Sequence, residues 1–464
     1  MAVKQTIAVE ALNQIGGQIL GKSLCEITNG WLALVENAEG KFLVTAVKGE
    51  HPLRRRQAIK TEEYKGVTVD VMPLNPINAA EVRHTLKWTA PVACGVKGTS
   101  IGFSDYLNIN DAFVAEAFAN KQMRPVLVDL TPEVCANVGV DIVTALDTVT
   151  WGVLEAGYKG GYSANAAELK IKAKDFAGFN FDEDIYKALI YGYSAIGLDC
   201  SDKIDLGIEK LTDEQVEKKF EQFNDVFRAA VDASYLKVEF KVGENKVSFQ
   251  PAELHRIVLE YGEAIMHIQN VYNTFLKSAP WDIDFEVAIS KPGKVLTPQE
   301  HCLIANELQR NSIKVTSMCL DAANDAQALK DNLEIHCDIA NTYGYRLSIK
   351  NADIALENPG AALKALKGVH FKLNNIMWMS TVKFIAANNA DLYAKICAAV
   401  GTEAVAADKI CGSESAVALA QGYAKALAAG SELAAEVKDF VVANKEQFAT
   451  FMKQNLSDCF LKRL

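Results

Sequence analysis

The chain has 464 residues and a formal net charge of −10 at pH 7, and half of its residues are hydrophobic, as in ordinary globular proteins. This length and composition support one large core or two domains and argue against disorder over most of the chain. The acidic balance repels phosphate backbones, which argues against nucleic acid as a partner. The sequence lacks a signal peptide and any apolar run long enough to cross a bilayer, so we expect a cytoplasmic protein without a membrane partner.

The ten cysteines are scattered along the chain without a Cys-x-x-Cys pair. A zinc ribbon or a redox dithiol would need such pairs, and neither is indicated. We interpret the cysteines as buried free thiols, which a reducing compartment preserves.

Residues 1–90 predict an N-terminal α/β cap. A helix-like opening from Gln5 to Ile19 precedes three strand-like stretches, at Trp31–Val35, Phe42–Val47 and Val67–Met72. The basic cluster Arg54-Arg55-Arg56 is typical of a solvated turn.

Residues 91–389 predict a (β/α)₈ TIM-type barrel, which makes the fold class α/β. Eight apolar runs, each followed by a helical or loop segment, are candidate strands, and eight parallel strands close such a barrel. The candidates are Pro91–Val96, Pro125–Leu130, Val149–Leu154, Ala195–Asp199, Ile283–Ile289, Ile313–Cys319, Tyr345–Ile349 and Val369–Leu373.

Two helical additions accompany the predicted barrel. One is a charged insert at about 203–280, and the other is an Ala-rich C-terminal extension at 390–464. Small residues of the extension permit close helix contact with a neighbouring subunit, and packing on the chain's own barrel explains them equally well; they are Ala426, Ala428, Ala429, Gly430, Ala434 and Ala435. We expect a homo-oligomer larger than a dimer, with an extended assembly as one option.

Residues 16–23 match the Gly-x-x-x-x-Gly-Lys-Ser pattern of a phosphate-binding loop. That loop requires a buried strand before it and a helix after it, whereas the flanking residues predict a helix before and a strand after. We interpret the match as a chance occurrence, which makes nucleotide hydrolysis a distant third hypothesis. The seven histidines show no metal-ligand spacing and are interpreted as satisfied or surface side chains.

Several segments between about residue 90 and residue 400 resemble the tagaturonate epimerases, in order and with similar spacing. This family comprises metal-dependent barrel enzymes that invert one carbon of a hexuronic ketose. The matching segments are residues 147–158, 198–202, 282–287, 296–301, 307–310 and 343–348.

The chain departs from the family at the segments that the resemblance assigns to metal binding. Where the family has Asp-Pro-Ser-Asp-His, this chain ends the corresponding segment Asp199–Lys203 with lysine. The family's Ser-x-His-Ser-Gly-Ser-Asp-Lys corresponds to Ser348–Asp353, which has Lys350 at the histidine and Asn351 next to it. An Asp-Glu-Thr segment is replaced by Ala288–Lys291, and Lys-Thr-Ala-Gly-Thr by Lys372, Leu373 and Asn374.

An ammonium group offers a metal ion no lone pair, so the resemblance implies that the metal site is lost. We therefore predict no metal ligand and no cofactor. Salt bridges that replace the metal's charge are our preferred interpretation of the lysines, ahead of a retained site for a sugar acid or another small anion. The candidate ligand-binding residues are Lys203, Lys291, Lys350, Asn351, Lys372 and Asn374.

Two principal hypotheses follow. The first is a catalytically degenerate barrel of the tagaturonate epimerase type, retained for self-assembly or ligand binding. The second is an active hexuronate epimerase with a rearranged, metal-independent site. Its catalytic residues would be Asp199, Asp202, Lys203 and Lys350.

Overall fold

The computed structural model describes residues 3–51, 53, 57–108, 123–171, 174–176, 179–279, 281–355, 368–410 and 414–456. The predicted turn at Arg54-Arg55-Arg56 lies outside this part of the chain. Among the described residues, no helix combines the length and the apolar character needed to cross a bilayer.

The first unit is an antiparallel sheet with its helices, which we call the cap. Its strands are β1 (Gln18–Ile19), β2 (Cys25–Ile27), β3 (Gly30–Asn37), β4 (Gly40–Val47), β5 (Lys60–Tyr64) and β6 (Val67–Pro73). Its helices are Gln5–Ala11, continued by a π-helical turn at Leu12–Gly16, and Pro76–Thr85. Apolar residues on alternate positions of β3, β4 and β6 face two small cores, one on each side of the sheet.

The second unit is a closed barrel of eight parallel strands, and this confirms the predicted fold class. The barrel strands in chain order are β7 (Ser100–Phe103), β8 (Arg124–Leu130), β9 (Ser163–Leu169), β12 (Ala195–Asp199), β15 (Asp284–Ala288), β16 (Ser317–Asp321), β17 (Arg346–Lys350) and β18 (His370–Leu373). Two hairpins lie between them along the chain: β10 (Lys174–Phe176) with β11 (Phe179–Phe181), and β13 (Phe240–Val242) with β14 (Asn245–Val247). The barrel omits both hairpins, and it closes where its last strand, β18, pairs with its first, β7.

Two of the eight strand predictions are wrong. The first barrel strand is β7, while the predicted segment 91–96 has no regular structure. The third is β9, because the predicted strand Val149–Leu154 lies inside the helix Ile142–Ala156. That helix buries residues on several faces between the barrel and the cap, so its apolar run resembles a buried strand.

Helices surround the barrel and continue beyond it. Those between strands are Pro132–Val138, Ile142–Ala156, Glu183–Tyr191, Asp213–Phe220, Asp225–Tyr235, Pro251–Val271 with a π-helical turn at Tyr272–Leu276, Pro298–Arg310, Ala326–Thr342 and Ala352–Ala355. After β18 follow Ile376–Asn388, Ala390–Val400, Glu414–Gln421, Tyr423–Ala426, Glu432–Ala443 and Lys445–Leu456. Short 3₁₀ turns lie at Lys87–Thr89, Ser201–Lys203, Ile208–Lys210 and Ala407–Lys409.

The C-terminal helices pack against the chain's own barrel. The Tyr423 ring stacks on Tyr106 with centroids 4.0 Å apart, and the indole of Trp378 donates to the Leu419 carbonyl. Ala426 is fully buried, and the Ala429 amide donates to the Asn137 carbonyl. These contacts account for Ala426 and Ala429, two of the six small residues, without a second subunit.

Candidate functional site

Charged side chains fill the centre of the barrel. Lys372 on β18 is 1% exposed, and its Nζ lies 2.5 Å from Glu286 Oε1 on β15 and 3.5 Å from Asp129 Oδ1 on β8. Asn165 donates to the same Asp129 oxygen, and Ser317 donates to Glu286. Three strands thus contribute one buried ammonium and two buried carboxylates, an arrangement that is stable only when the charges stay paired.

The strand β7 leaves room for this cluster because it carries glycine at position 102. A Cβ at Gly102 would lie 2.5 Å from Asp129 Oδ2, a distance that no side chain could tolerate. The glycine therefore lets a carboxylate occupy the barrel axis beside β7.

The three charged groups have strongly displaced pKa values. Burial raises the pKa of Asp129 to about 6 despite the nearby Lys372 ammonium. Burial also opposes ionisation of Glu286, but the attraction of Lys372 prevails and lowers its pKa to about 2. The pKa of Lys372 is raised, because its two carboxylates outweigh its own burial. The ion pair between Lys372 and Glu286 is therefore charged at neutral pH.

Above this cluster, the carboxyl ends of the strands surround a cavity of about 190 Å³, which we call the mouth cavity. Active sites of such barrels lie at this end. Glu168 of β9 and Lys350 of β17 both line it and form an ion pair, with Lys350 Nζ 2.7 Å from Glu168 Oε2. Asp199 and Asp321 also line it, at the ends of β12 and β16.

Glu168, which lines the mouth cavity, and Asn351, which is hydrogen-bonded to the lining residue Asp321, have backbone angles that L-amino acids rarely adopt. Glu168 has φ of 52° and Asn351 has φ of 55°. For a glutamate this conformation costs roughly 1–3 kcal/mol, and such strain concentrates at functional sites. The backbone strain at Glu168 therefore favours a functional role for the ion pair between Glu168 and Lys350.

An amide network holds the loops after β17 and β18 together. The Asn351 amide nitrogen donates to Asn374, and its side chain donates to Asp321. Asn374 in turn donates to the Ser104 hydroxyl. Asn351 and Asn374, both predicted as ligand-binding residues, thus bind neighbouring protein groups, and Asn351 orients the Asp321 carboxylate at the rim.

Lys291 also lines the mouth cavity, and its buried ammonium lies among three glutamates. Its Nζ lies 2.6 Å from Glu300, 2.9 Å from Glu260 and 3.1 Å from Glu209, and the Tyr261 ring lies below it at 5.2 Å. The attraction of these carboxylates outweighs burial and raises the pKa of Lys291. Lys291 is therefore a structural cation that joins the insert to the barrel.

The predicted site residues separate into two groups. Lys350 and Asp199 line the mouth cavity, and Asp199 pairs with Lys170 at 3.5 Å. Asp202 and Lys203 lie in the following 3₁₀ turn and do not line that cavity, and Lys203 lies 3.7 Å from Asp202 and 3.8 Å from Glu263. The structure does not place all four candidate catalytic residues around one cavity.

Sequence reasoning missed the carboxylates that engage the lysines. Glu168 was missed with its strand β9, and Asp129 and Asp321 were not considered as partners. Asp129 and Asp321 could have been found from their positions, since both lie near the carboxyl ends of segments predicted as strands, where barrel active sites form.

The family resemblance implies a divalent metal, and the donors present do not fit one. Within the described part of the chain, no group of three histidine, cysteine, aspartate or glutamate side chains converges closely enough to hold an ion. Lys350 and Lys372 instead set ammonium groups against the carboxylates of the mouth and the core. These carboxylates are engaged in ion pairs where a metal would need free donors.

The phosphate-loop pattern at residues 16–23 also lacks its required context. Gly16 ends a π-helical turn, the two-residue strand β1 lies inside the pattern, and β2 and β3 follow it. The structure thus has the helix-before, strand-after order that the sequence predicted.

Comparisons with known proteins agree with this architecture. A model of the tagaturonate epimerase family matches residues 20–410. The tagaturonate/fructuronate epimerase of Thermotoga maritima is 25% identical over 393 residues, which cover 82% of this chain and 78% of that protein.

Solved structures show the same fold. Two glycerol complexes of the fructuronate-tagaturonate epimerase from Cohnella laeviribosi match with TM-scores of 0.82 and 0.83 at 22% and 23% identity. The matches cover 97% and 98% of this chain, and 97% and 99% of those chains. Since the family model spans most of the sequence, the chain belongs to the tagaturonate epimerase family of hexuronate isomerases.

Proposed function

We propose that this chain binds a small polyhydroxy compound at the barrel mouth without epimerising it. One observation carries the proposal: Lys291, Lys350 and Lys372, which lie in or beside the family's metal-binding segments, each contact at least one carboxylate. Epimerisation beside a carbonyl requires a group that polarises the carbonyl and a base that removes a proton. Because the lysines and carboxylates at these positions are paired with one another, neither group is free to polarise a carbonyl or to remove a proton.

The alternative is an active epimerase with a rearranged site. It would draw on Lys350, Glu168 and Asp199, since Asp202 and Lys203 do not line the mouth cavity. Lys350 would have to polarise the carbonyl while Glu168 remained 2.7 Å from its ammonium. Burial lowers the pKa of Lys350, but the Glu168 charge outweighs it and the pKa is raised, so Lys350 is a poor base.

The charge of the mouth cavity favours a neutral ligand. Glu168, Asp199 and Asp321 contribute three carboxylates to its lining. The nearby ammonium groups are already paired, Lys350 with Glu168 and Lys170 with Asp199, and Lys291 binds its own glutamates, so none of these three is left for an anionic ligand. Carboxylates accept hydrogen bonds from hydroxyl groups and repel a second carboxylate. We therefore propose a neutral sugar or polyol in preference to the sugar acid or small anion expected from the sequence.

Ligand-observed NMR tests this proposal with tagatose, fructose and the two corresponding uronates. We expect the neutral sugars to bind about tenfold more tightly than the uronates, a difference of about 1.4 kcal/mol. Asp321→Asn should weaken neutral-sugar binding, whereas Asp391→Asn, on the C-terminal helix Ala390–Val400, should not. Tighter binding of the uronates would contradict the neutral ligand, and their interconversion would contradict the loss of epimerisation.

We further propose that the chain self-associates through the insert. Phe223, Val226 and Phe227, at the turn before and the start of the helix Asp225–Tyr235, are 41%, 80% and 40% exposed. Adjacent exposed apolar side chains favour a protein contact. Light scattering should show an oligomer that Val226→Glu dissociates and Val442→Glu does not. A monomer at every concentration would reject this proposal, and dissociation by Val442→Glu alone would move the contact to the C-terminal extension.

A further inference from the structure

The end of the barrel opposite the mouth contains a pocket that the proposed function does not use. It has a volume of about 220 Å³ and lies where β7, β8 and β17 begin. Three cationic residues line it: Lys97 in the loop before β7, Arg124 at the start of β8 and Arg346 at the start of β17. We call it the N-terminal pocket.

No carboxylate lines the N-terminal pocket among the described residues. Within the same part of the chain, none of its three cations has an aspartate or glutamate oxygen within 4 Å. The chain as a whole carries a net charge of −10, whereas this small pocket contains three cationic side chains and no carboxylate among the described residues. A local excess of positive charge attracts anions.

Arg346 is the most informative of the three. Its residue is 5% exposed, and its Nη1 donates to the Gly98 carbonyl at 3.4 Å, a long hydrogen bond. Its Nε is buried and has no hydrogen-bond partner among the described residues. A buried guanidinium with an unsatisfied donor is costly unless a charged or polar partner binds it.

The nearest candidate partner within the protein is already engaged. Asp284, at the start of β15, accepts hydrogen bonds from the Cys94 amide at 2.6 Å and the Gly95 amide at 3.0 Å. It lines the neighbouring cavity and not the N-terminal pocket. Burial raises the pKa of Asp284 and attraction to Arg346 partly opposes this, so Asp284 offsets part of the Arg346 charge from outside the pocket without forming an ion pair within 4 Å.

The pocket also provides groups that would orient an oxyanion. Arg124 is fixed by its hydrogen bond to the Ala93 carbonyl at 2.5 Å, and Thr99 lies on the same lining. The Ser100 hydroxyl is hydrogen-bonded to the buried His370 ring at 2.9 Å, so Ser100 contributes to the lining but not a free hydroxyl. Guanidinium groups match phosphate oxygens in planar, bidentate geometry. A pocket of about 220 Å³ has space for one oxyanion with a small substituent beside it.

We propose that the N-terminal pocket binds a phosphate-type oxyanion, either as the free ion or as the phosphate group of a small ester. Arg346 and Arg124 contact its oxygens, and Lys97 closes the solvent side. This pocket shares no lining residue with the mouth cavity, so anion binding here can be tested separately from the proposed function.

Isothermal titration calorimetry at low ionic strength tests this site in the full chain. The probes are inorganic phosphate and glycerol 3-phosphate. We expect saturable binding of at least one, about tenfold weaker in Lys97→Ala, which loses an exposed ammonium without disturbing the core. Arg346→Lys keeps the charge but removes the bidentate fork, and it should weaken binding at least as much. Tighter binding of the ester would identify a phosphorylated metabolite as the source, whereas equal or tighter binding of inorganic phosphate would identify the free ion.

Lys314→Ala provides the matched control. Lys314 is exposed at the same end of the barrel and lines the neighbouring cavity, so this variant removes an equal charge outside the N-terminal pocket. Its affinity for both probes should equal that of the unmodified protein. The proposal is overturned if neither probe binds saturably, or if Lys314→Ala weakens binding as much as Lys97→Ala.

Discussion

Lys372 Nζ and Glu286 Oε1 lie 2.5 Å apart at the centre of the barrel, on β18 and β15, with both side chains almost fully buried. Asp129 completes the cluster 3.5 Å from the same ammonium. The family resemblance implies a metal-dependent centre. In this chain the Lys372 ammonium stabilises the central carboxylates instead.

Lys372→Met is expected to destabilise the fold by about 3–5 kcal/mol, because it leaves two buried carboxylates without their counter-charge. Urea unfolding at pH 7 measures the change. Lys395→Met is the control: Lys395 pairs with Glu436 at 2.6 Å on the surface, and loss of an exposed pair costs less than about 1 kcal/mol. Equal costs for the two variants would show that the core pair contributes no more than a surface pair.

The buried pair His301 and His336 predicts a pH dependence of stability. Their Nδ1 atoms lie 2.9 Å apart, and burial lowers the pKa of His336 from 6.5 to about 4. Between these values the unfolded chain binds a proton that the folded chain does not. The contribution of His336 is therefore complete above pH 6.5 and is lost as pH falls towards 4.

His336→Asn isolates this contribution, since asparagine keeps a hydrogen-bonding group near His301 but does not titrate. Between pH 7 and pH 5 the unmodified protein should lose about 2 kcal/mol more unfolding free energy than the variant. Urea titrations at the two pH values measure the difference. Equal losses would mean that His336 ionises as readily in the fold as in the unfolded chain.

Lys350→His is expected to create zinc affinity at the mouth cavity. An imidazole would add a lone pair beside Glu168 and near Asp321, in place of the ammonium that now pairs with Glu168. Zinc titration by calorimetry should detect binding in this variant and not in the unmodified protein. Lys314→His, at the opposite end of the barrel, should show no gain. One tightly held equivalent of metal in the unmodified protein would contradict the account.

The barrel could be predicted because six of its strands coincide with apolar-rich runs, which single polar residues such as Glu286 and Lys372 interrupt without hiding the pattern. The run in Ile142–Ala156 misled the prediction because that helix is buried on several faces, although its ends carry helix signals. Asp141 caps its first turn through its side chain, and Gly157 ends it with φ of 62°. The true strand β9 is rich in alanine, which has weak strand propensity, and Glu168 was missed with it.

The ion pairs of the site were less predictable than the strands. The partners of Lys291 come from positions 209, 260 and 300, and those of Lys372 from positions 129 and 286. Such distant pairings depend on how the insert folds over the barrel and on strand order across its axis. A single sequence gives the residue types but not these contacts.

The most direct test of the central claim is an NMR assay of tagaturonate and fructuronate with the purified protein and added manganese, zinc or nickel. We expect no interconversion beyond that of the metal alone, because Lys350 and Lys372 hold Glu168 at the mouth and Glu286 and Asp129 in the core. Interconversion that depends on the protein and is abolished by Asp199→Asn would contradict this expectation and establish an active, rearranged epimerase.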